Sequence, residues 1–375
     1  MFKWVFVALF MLSVIPVFAE SLSLTKPENN AVVSQLWENQ KDFLQKNEGE
    51  RRALVADEKY RDKVIHEPGK GTLPKPVDFE WKWDGKKAAA FTVKIAENAD
   101  FSDAVTISTD QNKINVENFK INRKYYWKVI TVAADGKEAA SNVYSFVTED
   151  QAPRLLDVPN VTNFRDIGGR KGLGGKRVRQ NMIFRSTAFN ENSKDGIVRG
   201  CDRVTAAGRD VSLNILKLKT ELDLRSQKEV ADMTGSPLGD QVKWINISTF
   251  PYDGAHTKDG KDIFIKEFRL FCDVKNYPVN FHCIAGADRT GTLAFILNAA
   301  LGVSDAELIR DWEITIFNNR GNYFTHKSTF DHLINGLDKL GAPQEPYSVK
   351  VERYLLDGGI TQKELETFRS IMLEN

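Results

Sequence analysis

Cysteine is scarce in this chain of 375 residues, and its scarcity excludes a scaffold held together by disulfides. The three cysteines are Cys201, Cys272 and Cys283. Because their number is odd, at least one thiol stays unpaired even in an oxidising compartment. Cys201 and Cys272 are interpreted as small buried hydrophobic side chains. Cys283 differs, because the residues around it indicate a catalytic site.

An excess of either charge is also absent, since 52 basic side chains stand against 51 acidic ones. Overall charge therefore indicates no nucleic-acid or anionic-membrane partner, and any anion site must be local. Hydrophobic residues make up 42% and charged residues 27%, which is ordinary for a soluble globular protein. The length favours two domains over one.

Long apolar runs are missing except at the start, where Trp4–Phe18 follows Lys3 and precedes Ala19 and Glu20. A basic residue, an apolar run and a small residue in this order are typical of a cleaved signal peptide. An uncleaved membrane anchor is the alternative, but the run is shorter than the roughly 20 residues of a spanning helix. We expect residues 1–19 to be removed and the protein to be exported, either periplasmic or secreted, without stable membrane insertion.

The N-terminal part combines a helix-forming stretch with short strands. Gln35–Val64 is rich in Glu, Lys, Leu and Ala, and Gly49 is its one helix-weakening residue. Residues 20–152 are therefore predicted to form a small β-sandwich with a helical insertion. The predicted strands, which are separated by turn residues, are Phe79–Trp83, Ala89–Ile95, Ala104–Ser108, Tyr125–Val132 and Val143–Val147.

Part of this region resembles a known module. The run Tyr125–Val129, then Gly136 and Tyr144–Val147, is similar to the last strands of a fibronectin type III-like domain. The resemblance rests mainly on aromatic core positions, and no residue in it suggests chemistry. We expect a packing or positioning role, with protein or carbohydrate contact as the alternative.

A polar segment with two prolines, Thr148–Pro159, marks the predicted domain boundary, and residues 153–375 alternate strands and helices. This alternation predicts an α/β domain with a central sheet flanked by helices. Capping boxes are predicted at Ser304 and at Thr361, each of which has Glu three residues later. The predicted strands are Leu218–Leu224, Val242–Ile247 and Val279–His282, and the predicted helices are Thr290–Leu301 and Ser304–Phe317.

Chemistry is concentrated between the last of these strands and the helix after it, where Cys283 is followed by Gly286 and Arg289. A strand-to-helix turn leaves backbone N–H groups pointing inward, and with the positive end of the helix they bind a dianion. Gly286 permits the torsions of a tight loop. The same field lowers the pKa of the Cys283 thiol below its free value of about 8.5, so the nucleophile needs no separate base. The predicted cradle consists of Ile284, Ala285, Gly286 and Ala287.

Arg289 is the predicted phosphate clamp, because its planar fork can hold two phosphate oxygens. Amide donors and a guanidinium already in place stabilise the charge that phosphoryl transfer spreads over the equatorial oxygens. Thr290 can hydrogen-bond the sulfur of Cys283, and His282 is expected to orient the loop from behind. No His or carboxylate cluster has the spacing of metal ligands, so neither a metal nor another cofactor is expected.

Four ordered motifs carry a family resemblance. Phe281–Gly291 resembles the signature of the cysteine phosphatase superfamily. Asn163–Gly169 is similar to the opening motif of the bacterial tyrosine phosphatase family that includes secreted mycobacterial and listerial enzymes acting on phosphotyrosine and phosphoinositides. Phe184–Ser186 and Leu222–Arg225 match its next two motifs. The resemblance extends from about Val158 to the C-terminus, and it implies an α/β cysteine-phosphatase domain, a phosphocysteine intermediate and no metal.

The expected substrate is a phosphotyrosine protein or peptide, and dual specificity towards phosphoserine and phosphothreonine stays open. Relatives that favour phosphoinositides commonly carry a lysine where this chain has Ala287. An inositol-phosphate, phytate or phosphoinositide phosphatase is the alternative, which cations around the cleft would favour. An inactive phosphate-binding or adhesion module is a third hypothesis, and the joint presence of Cys283 and Arg289 argues against it. The candidate cations are Lys171, Lys176, Arg177 and Arg179.

The proton donor for the leaving group is left open among three aspartates. Asp288 lies inside the loop, and related phosphatases with Asp-Arg at this place are thought to use that aspartate. Asp253 lies about thirty residues before Cys283, where many tyrosine phosphatases carry a mobile acid loop, although it can equally be a turn residue. Asp223 ends a predicted strand and is interpreted mainly as a structural partner for loop arginines.

Overall fold

A computed structural model describes residues 21–66, 71–85, 90–133, 136–191, 201–318 and 327–374. The predicted signal peptide, residues 1–19, lies outside the described residues, as does the first residue of the strand predicted to begin at Ala89. Within the described ranges, no helix combines the length and the apolar character that a membrane span requires.

The described residues form two compact units. The first unit contains residues of Met1–Ala31, Asp78–Asn115 and Lys124–Phe146. The second unit contains residues of Val32–Val77, Val116–Arg123 and Val147–Asn375. The elements up to residue 148 are, in chain order, β1 (Leu22–Lys26), β2 (Ala31–Val33), α1 (Glu38–Gln45), α2 (Glu48–Ala56), α3 (Glu58–His66), β3 (Val77–Trp83), β4 (Phe91–Ala96), β5 (Val105–Thr109), β6 (Lys113–Val116), β7 (Lys124–Val132), β8 (Glu138–Ala140) and β9 (Tyr144–Thr148).

In the first unit β1 pairs with β3, β4 pairs with β5 and β7, and β7 pairs with β8, all of them antiparallel. In one sheet β3 lies between β1 and β6, and in another the order is β9, β7, β4 and β5, with β8 paired to β7. Side chains of β7 are buried in alternation, as expected of a strand with one face in a core. From β7, Trp127 contacts Phe79 of β3 edge to face, with 5.0 Å between the ring centroids. The five predicted strands of this region correspond to β3, β4, β5, β7 and β9.

Helices α1, α2 and α3 group with the second unit, whereas the sequence predicts them as an insertion in the N-terminal β-sandwich. The contacts of their buried side chains explain the difference. Phe43 of α1 packs edge to face on Phe317, with 5.4 Å between the centroids. In α2, Arg51 forms a buried ion pair with Glu313, with 2.5 Å between Nε and Oε2. The compact units therefore do not coincide with the predicted boundary near residue 152.

A six-stranded sheet organises the second unit in the order β10, β11, β12, β15, β13 and β14. The four strands from β12 to β14 in this order are parallel. From residue 154 on, the elements are β10 (Arg154–Leu155), β11 (Arg165–Asp166), β12 (Ile183–Ser186), α4 (Ala206–Asp210), β13 (Thr220–Asp223), β14 (Lys243–Asn246), α5 (Lys258–Phe271), β15 (Val279–His282), α6 (Asp288–Ala300), α7 (Asp305–Glu313), α8 (Lys327–Asp338), α9 (Tyr347–Asp357) and α10 (Gln362–Met372).

Apolar side chains cover both faces of this sheet. Successive residues of a strand point to opposite faces, and in β12 Ile183 joins one buried cluster whereas Phe184 joins the other. The larger cluster includes side chains of α5, α6, α7, α9 and α10. The prediction of a central sheet flanked by helices is therefore confirmed.

The two predicted capping boxes have different outcomes. Thr361 accepts a hydrogen bond from the Glu364 N–H, and the Glu364 carboxylate accepts one from the Thr361 N–H, so this capping box is confirmed. The prediction at Ser304 is wrong, because its side chain makes no cap. The carboxylate of Glu307 accepts a hydrogen bond from Nη1 of Arg310 at 2.5 Å instead.

Candidate active site

The loop between β15 and α6 is arranged to receive an anion. Among the described residues, the backbone N–H groups of Ile284–Ala287 find no acceptor. The carbonyl groups of the same loop are held outside it. Nδ2 of Asn163 donates to the carbonyl oxygens of Ala285 at 3.1 Å and Gly286 at 3.0 Å, and Nη2 of Arg185 donates to that of Gly286 at 2.7 Å. A trans peptide points its N–H away from its carbonyl, so these bonds turn N–H groups towards the inside.

Gly286 is required both by its backbone torsion angle and by the lack of space for a side chain at this position. Its φ is +63°, a region that side-chain-bearing residues rarely adopt. A Cβ atom at this position would lie 2.4 Å from the carbonyl oxygen of Ser186. The close approach of the loop to β12 therefore depends on this glycine.

Cys283 is buried at the base of the loop, with 2% of its surface exposed. Burial by itself raises the pKa of the thiol, and the nearby Asp288 carboxylate adds to that effect. The Arg289 guanidinium and the neighbouring Thr290 outweigh both, so the pKa lies below its ordinary value. The thiolate form that a nucleophile needs is thus favoured.

Arg289 is held in position by Glu229, a residue to which none of the sequence motifs points. Nη1 and Nη2 of Arg289 donate to the two carboxylate oxygens of Glu229 at 2.7 Å and 3.0 Å. The same carboxylate accepts hydrogen bonds from the N–H and the hydroxyl of Ser226. Although burial raises the pKa of Glu229, these donors lower it to about 2. Glu229 lies 60 positions before Arg289, so no local spacing indicates this contact.

The three candidate acids lie in different surroundings. Asp288 begins α6, and its Oδ1 accepts a hydrogen bond from the hydroxyl of Tyr252. Asp253 has 75% of its side chain exposed and lies 3.9 Å from Nδ1 of His332. Asp223 is buried, and its carboxylate accepts hydrogen bonds from Arg225, at 2.6 Å for Nη2. Of the three, only Asp288 is found both in the loop and among the groups that act on the Cys283 thiol.

His282 lies behind the loop and is bonded through both ring nitrogens. Its Nε2 is 2.8 Å from Oε1 of Glu221, and its Nδ1 is 3.1 Å from the carbonyl oxygen of Cys283. Burial lowers the pKa of His282, but the Asp223 and Glu221 carboxylates outweigh it and raise the pKa overall. A protonated imidazole donates through both nitrogens, which matches these two acceptors and fixes the start of the loop.

Within the described ranges, one group of side chains has the proximity that metal binding requires. The ligand atoms of Glu221, Asp223 and His282 all lie within 4.8 Å of one another, and all three residues are buried. Both nitrogens of His282 have acceptors, and Arg225 donates to Asp223. A metal ion would need the nitrogen lone pair that protonation of His282 removes. The two carboxylates are therefore better explained as partners of the His282 and Arg225 cations than as metal ligands.

A protein-family model described as the tyrosine phosphatase family matches residues 156–374. Among curated proteins, the chain is 27% identical over 186 residues to the Cupriavidus necator protein named "Putative tyrosine-protein phosphatase H16_A0669". The alignment covers 42% of this chain and 61% of the relative, so this chain spans about three-fifths of the length of the relative it matches.

Among solved structures, the chain is similar to the core catalytic domain of the PP-IP phosphatase SIW14 from S. cerevisiae in complex with citrate. The identity is 16%, the TM-score is 0.25, and the match covers 42% of this chain and 91% of the other. At this TM-score the likeness carries no argument about substrate.

Proposed function

The chain belongs to the tyrosine phosphatase family, and from that premise we propose that it hydrolyses phosphomonoesters through a phosphocysteine intermediate. The observation that carries the proposal is the loop Cys283–Ala287. It combines a buried thiol of lowered pKa with inward-facing N–H groups and a guanidinium at its rim. A site that only binds phosphate needs no reactive thiol.

In the first step, the Cys283 thiolate attacks phosphorus and the bond from phosphorus to the ester oxygen breaks. Asp288 donates a proton to that leaving oxygen, which departs as a neutral alcohol or phenol. The N–H groups of the loop and the Arg289 guanidinium stabilise the equatorial oxygens of the transferring phosphoryl group. Because these donors are held by other parts of the fold, little reorganisation is needed during the transfer.

In the second step, water attacks the phosphorus of the phosphocysteine, and the ionised Asp288 accepts its proton. The bond between sulfur and phosphorus breaks, inorganic phosphate leaves, and the Cys283 thiolate is restored. The buried Thr290 hydroxyl, which has no other partner among the described residues, stabilises the sulfur as it becomes an anion again. Acid and base are thus one carboxyl group in two protonation states.

Phosphotyrosine is the proposed substrate. Two of the four cations that would favour a highly charged inositol phosphate are engaged elsewhere in the second unit. Arg177 binds Asp150 with 2.7 Å between Nη1 and Oδ1, and Nε of Arg179 donates to the carbonyl oxygen of Leu373 at 3.1 Å. With Ala287 in place of a lysine, these contacts support a substrate with a single phosphate.

Export with removal of residues 1–19 is part of the proposal, as is a positioning role for a fibronectin type III-like first unit. The apolar run after Lys3 supports the former. The aromatic core that contains Trp127 and Phe79 supports the latter. Fractionation of expressing cells, with N-terminal sequencing of the mature chain, tests the export claim. A chain recovered only in the cytoplasm with Met1 retained would contradict it.

A turnover panel with the full chain tests the proposed reaction. The substrates are a phosphotyrosine peptide, a phosphoserine peptide, a phosphoinositide and phytate, each with and without EDTA. We expect turnover of the phosphotyrosine peptide to be the fastest and to be insensitive to EDTA. Faster release of phosphate from phytate or from the phosphoinositide would reassign the substrate. No turnover of any ester would overturn the proposed function.

A further inference from the structure

Three buried arginines surround a single aspartate behind the loop. Oδ2 of Asp311 lies 2.5 Å from Nη1 of Arg185, and Oδ1 lies 2.8 Å from Nη2 of Arg170 and 3.2 Å from Nε of Arg165. None of the four side chains is more than 4% exposed. We call these four residues the guanidinium cluster.

Positive charge is in excess in the guanidinium cluster. Three guanidinium groups share one carboxylate, and a further carboxylate, that of Glu307, lies 3.7 Å from Nε of Arg170 and also binds Arg310. Buried charge without a counterion is costly. Accordingly, burial and the neighbouring cations lower the pKa of Arg165 to about 9. An anion near the guanidinium cluster would offset this cost.

Arg185 connects the guanidinium cluster to the loop. Its Nη1 binds Asp311, and its Nη2 donates to the Gly286 carbonyl at 2.7 Å. The bond to Gly286 turns the N–H of Ala287 in the opposite direction, towards the inside of the loop. Burial lowers the pKa of Arg185, whereas the Asp311 carboxylate and the Cys283 thiolate raise it. Outside the guanidinium cluster, the anion that acts on Arg185 is therefore the Cys283 thiolate.

We infer that Arg185, fixed by Asp311, is a positioning residue that supplies a second, buried positive charge to the Cys283 thiolate and orients the loop N–H groups. The inference rests on the thiolate nucleophile of the proposed function. In the free protein the thiolate offsets the excess charge of the guanidinium cluster, and a bound phosphate dianion offsets it further. Arg289 holds the phosphate from the rim, while Arg185 acts from behind the loop.

The test is the pH dependence of alkylation of Cys283 by iodoacetamide in the full chain, with the modified residue identified by mass spectrometry. Cys201 and Cys272 serve as internal references, because burial raises the pKa of each to about 12. Besides Arg185, the ionisable groups coupled to Cys283 include Arg289, Asp288 and Tyr252, and they are unchanged in every variant.

Two substitutions separate charge from shape. Arg185→Gln retains an N–H donor for Gly286 but removes the charge, and we expect the alkylation midpoint of Cys283 to rise by about one pH unit. Arg185→Lys retains the charge, and we expect its midpoint to stay near that of the unchanged protein while kcat falls, since one ammonium cannot serve both Asp311 and Gly286. Equal midpoints for the two variants would overturn the inference.

Two further outcomes keep the inference apart from the proposed function. If the unchanged protein itself shows a Cys283 midpoint at or above the ordinary thiol value of about 8.5, the thiolate nucleophile is refuted and the inference with it. If Arg185→Gln does not fold, as judged by circular dichroism, Arg170→Gln removes a charge from the same guanidinium cluster without touching Gly286. We then expect a smaller shift of the same sign, and no shift would overturn the inference.

Discussion

Helix α5 and the loop after β15 both bury groups that ionise, yet their pKa values move in opposite directions. At the end of α5, burial raises the pKa of the Cys272 thiol to about 12, and within α5 it raises the pKa of the Glu267 carboxyl to about 8. In the loop, burial acts on Cys283 in the same direction, but Arg289 and Thr290 lower the pKa. Reactivity therefore depends on which partners the fold brings to a buried group, and burial by itself suppresses it.

The largest expected effect follows from the difference between the Cys283 and Cys272 thiols. Cys283→Ser should abolish turnover and leave the fold intact, because a serine hydroxyl stays protonated where this thiol ionises. Cys272→Ser is the matched control in the α5 region and should keep near-normal turnover. The measurement is hydrolysis of a phosphotyrosine peptide, and residual activity of Cys283→Ser above about one per cent of the unchanged rate would contradict the nucleophile assignment.

Each of the two regions also contains an arginine that forms an ion pair with a glutamate. Arg289→Lys should lower kcat/KM by about a thousandfold, because a point charge cannot reproduce the fork that binds Glu229 and a phosphate. Arg269→Lys on α5, whose exposed pair with Glu364 has 3.0 Å between Nε and Oε1, should be nearly unchanged. A near-normal rate for Arg289→Lys would refute the clamp role.

A smaller effect distinguishes the loop carboxylate from an exposed one. Asp288→Asn should slow hydrolysis of the phosphotyrosine peptide by about a hundredfold. It should slow hydrolysis of an aryl phosphate with an acidic phenol much less, since only the tyrosine leaving group needs a proton to depart. The descending limb of its pH profile should disappear. Asp253→Asn is the control and should keep the unchanged dependence on leaving-group pKa. The reverse pattern would place the acid at Asp253, and Asp223 becomes the candidate if neither variant responds.

The last effect concerns stability and should leave the rate near neutral pH unchanged. In the folded protein the pKa of Glu267 is raised to about 8. Its protonated form therefore contributes fully to the free energy of unfolding below the ordinary pKa of 4.5, and this contribution is lost as the pH rises through about 8. Glu267→Gln should flatten the decline of the free energy of unfolding over that range, a difference of a few kcal/mol in urea titrations. The exposed Asp262→Asn should keep the unchanged curve, and parallel curves for Glu267→Gln would refute the assignment.

Contiguous patterns were predicted more accurately than contacts between distant segments. The strand predicted at Val279–His282 has these bounds in β15, and α6 begins at Asp288, close to the predicted Thr290. Gln35–Val64 was predicted as one helical stretch but forms three helices, because Asn47 caps α2 with its side chain and Asp57 ends that helix. The capping box predicted at Ser304 did not form, because Glu307 binds Arg310 and local spacing does not show which partner a glutamate takes.

What the sequence by itself determined is the set of residues from which the proposed anion site of the loop is built. A cysteine, a glycine and an arginine in one short segment between a strand and a helix suffice to build an anion cradle, because the backbone supplies most of its donors. Only the tertiary structure decided what holds that cradle. Glu229 reaches Arg289 across 60 positions, Asp311 reaches Arg185 across 126, and Tyr252 reaches Asp288 across 36. These pairs form only when sheet order and helix packing bring their elements together, and no periodicity or local spacing in the chain encodes such distances.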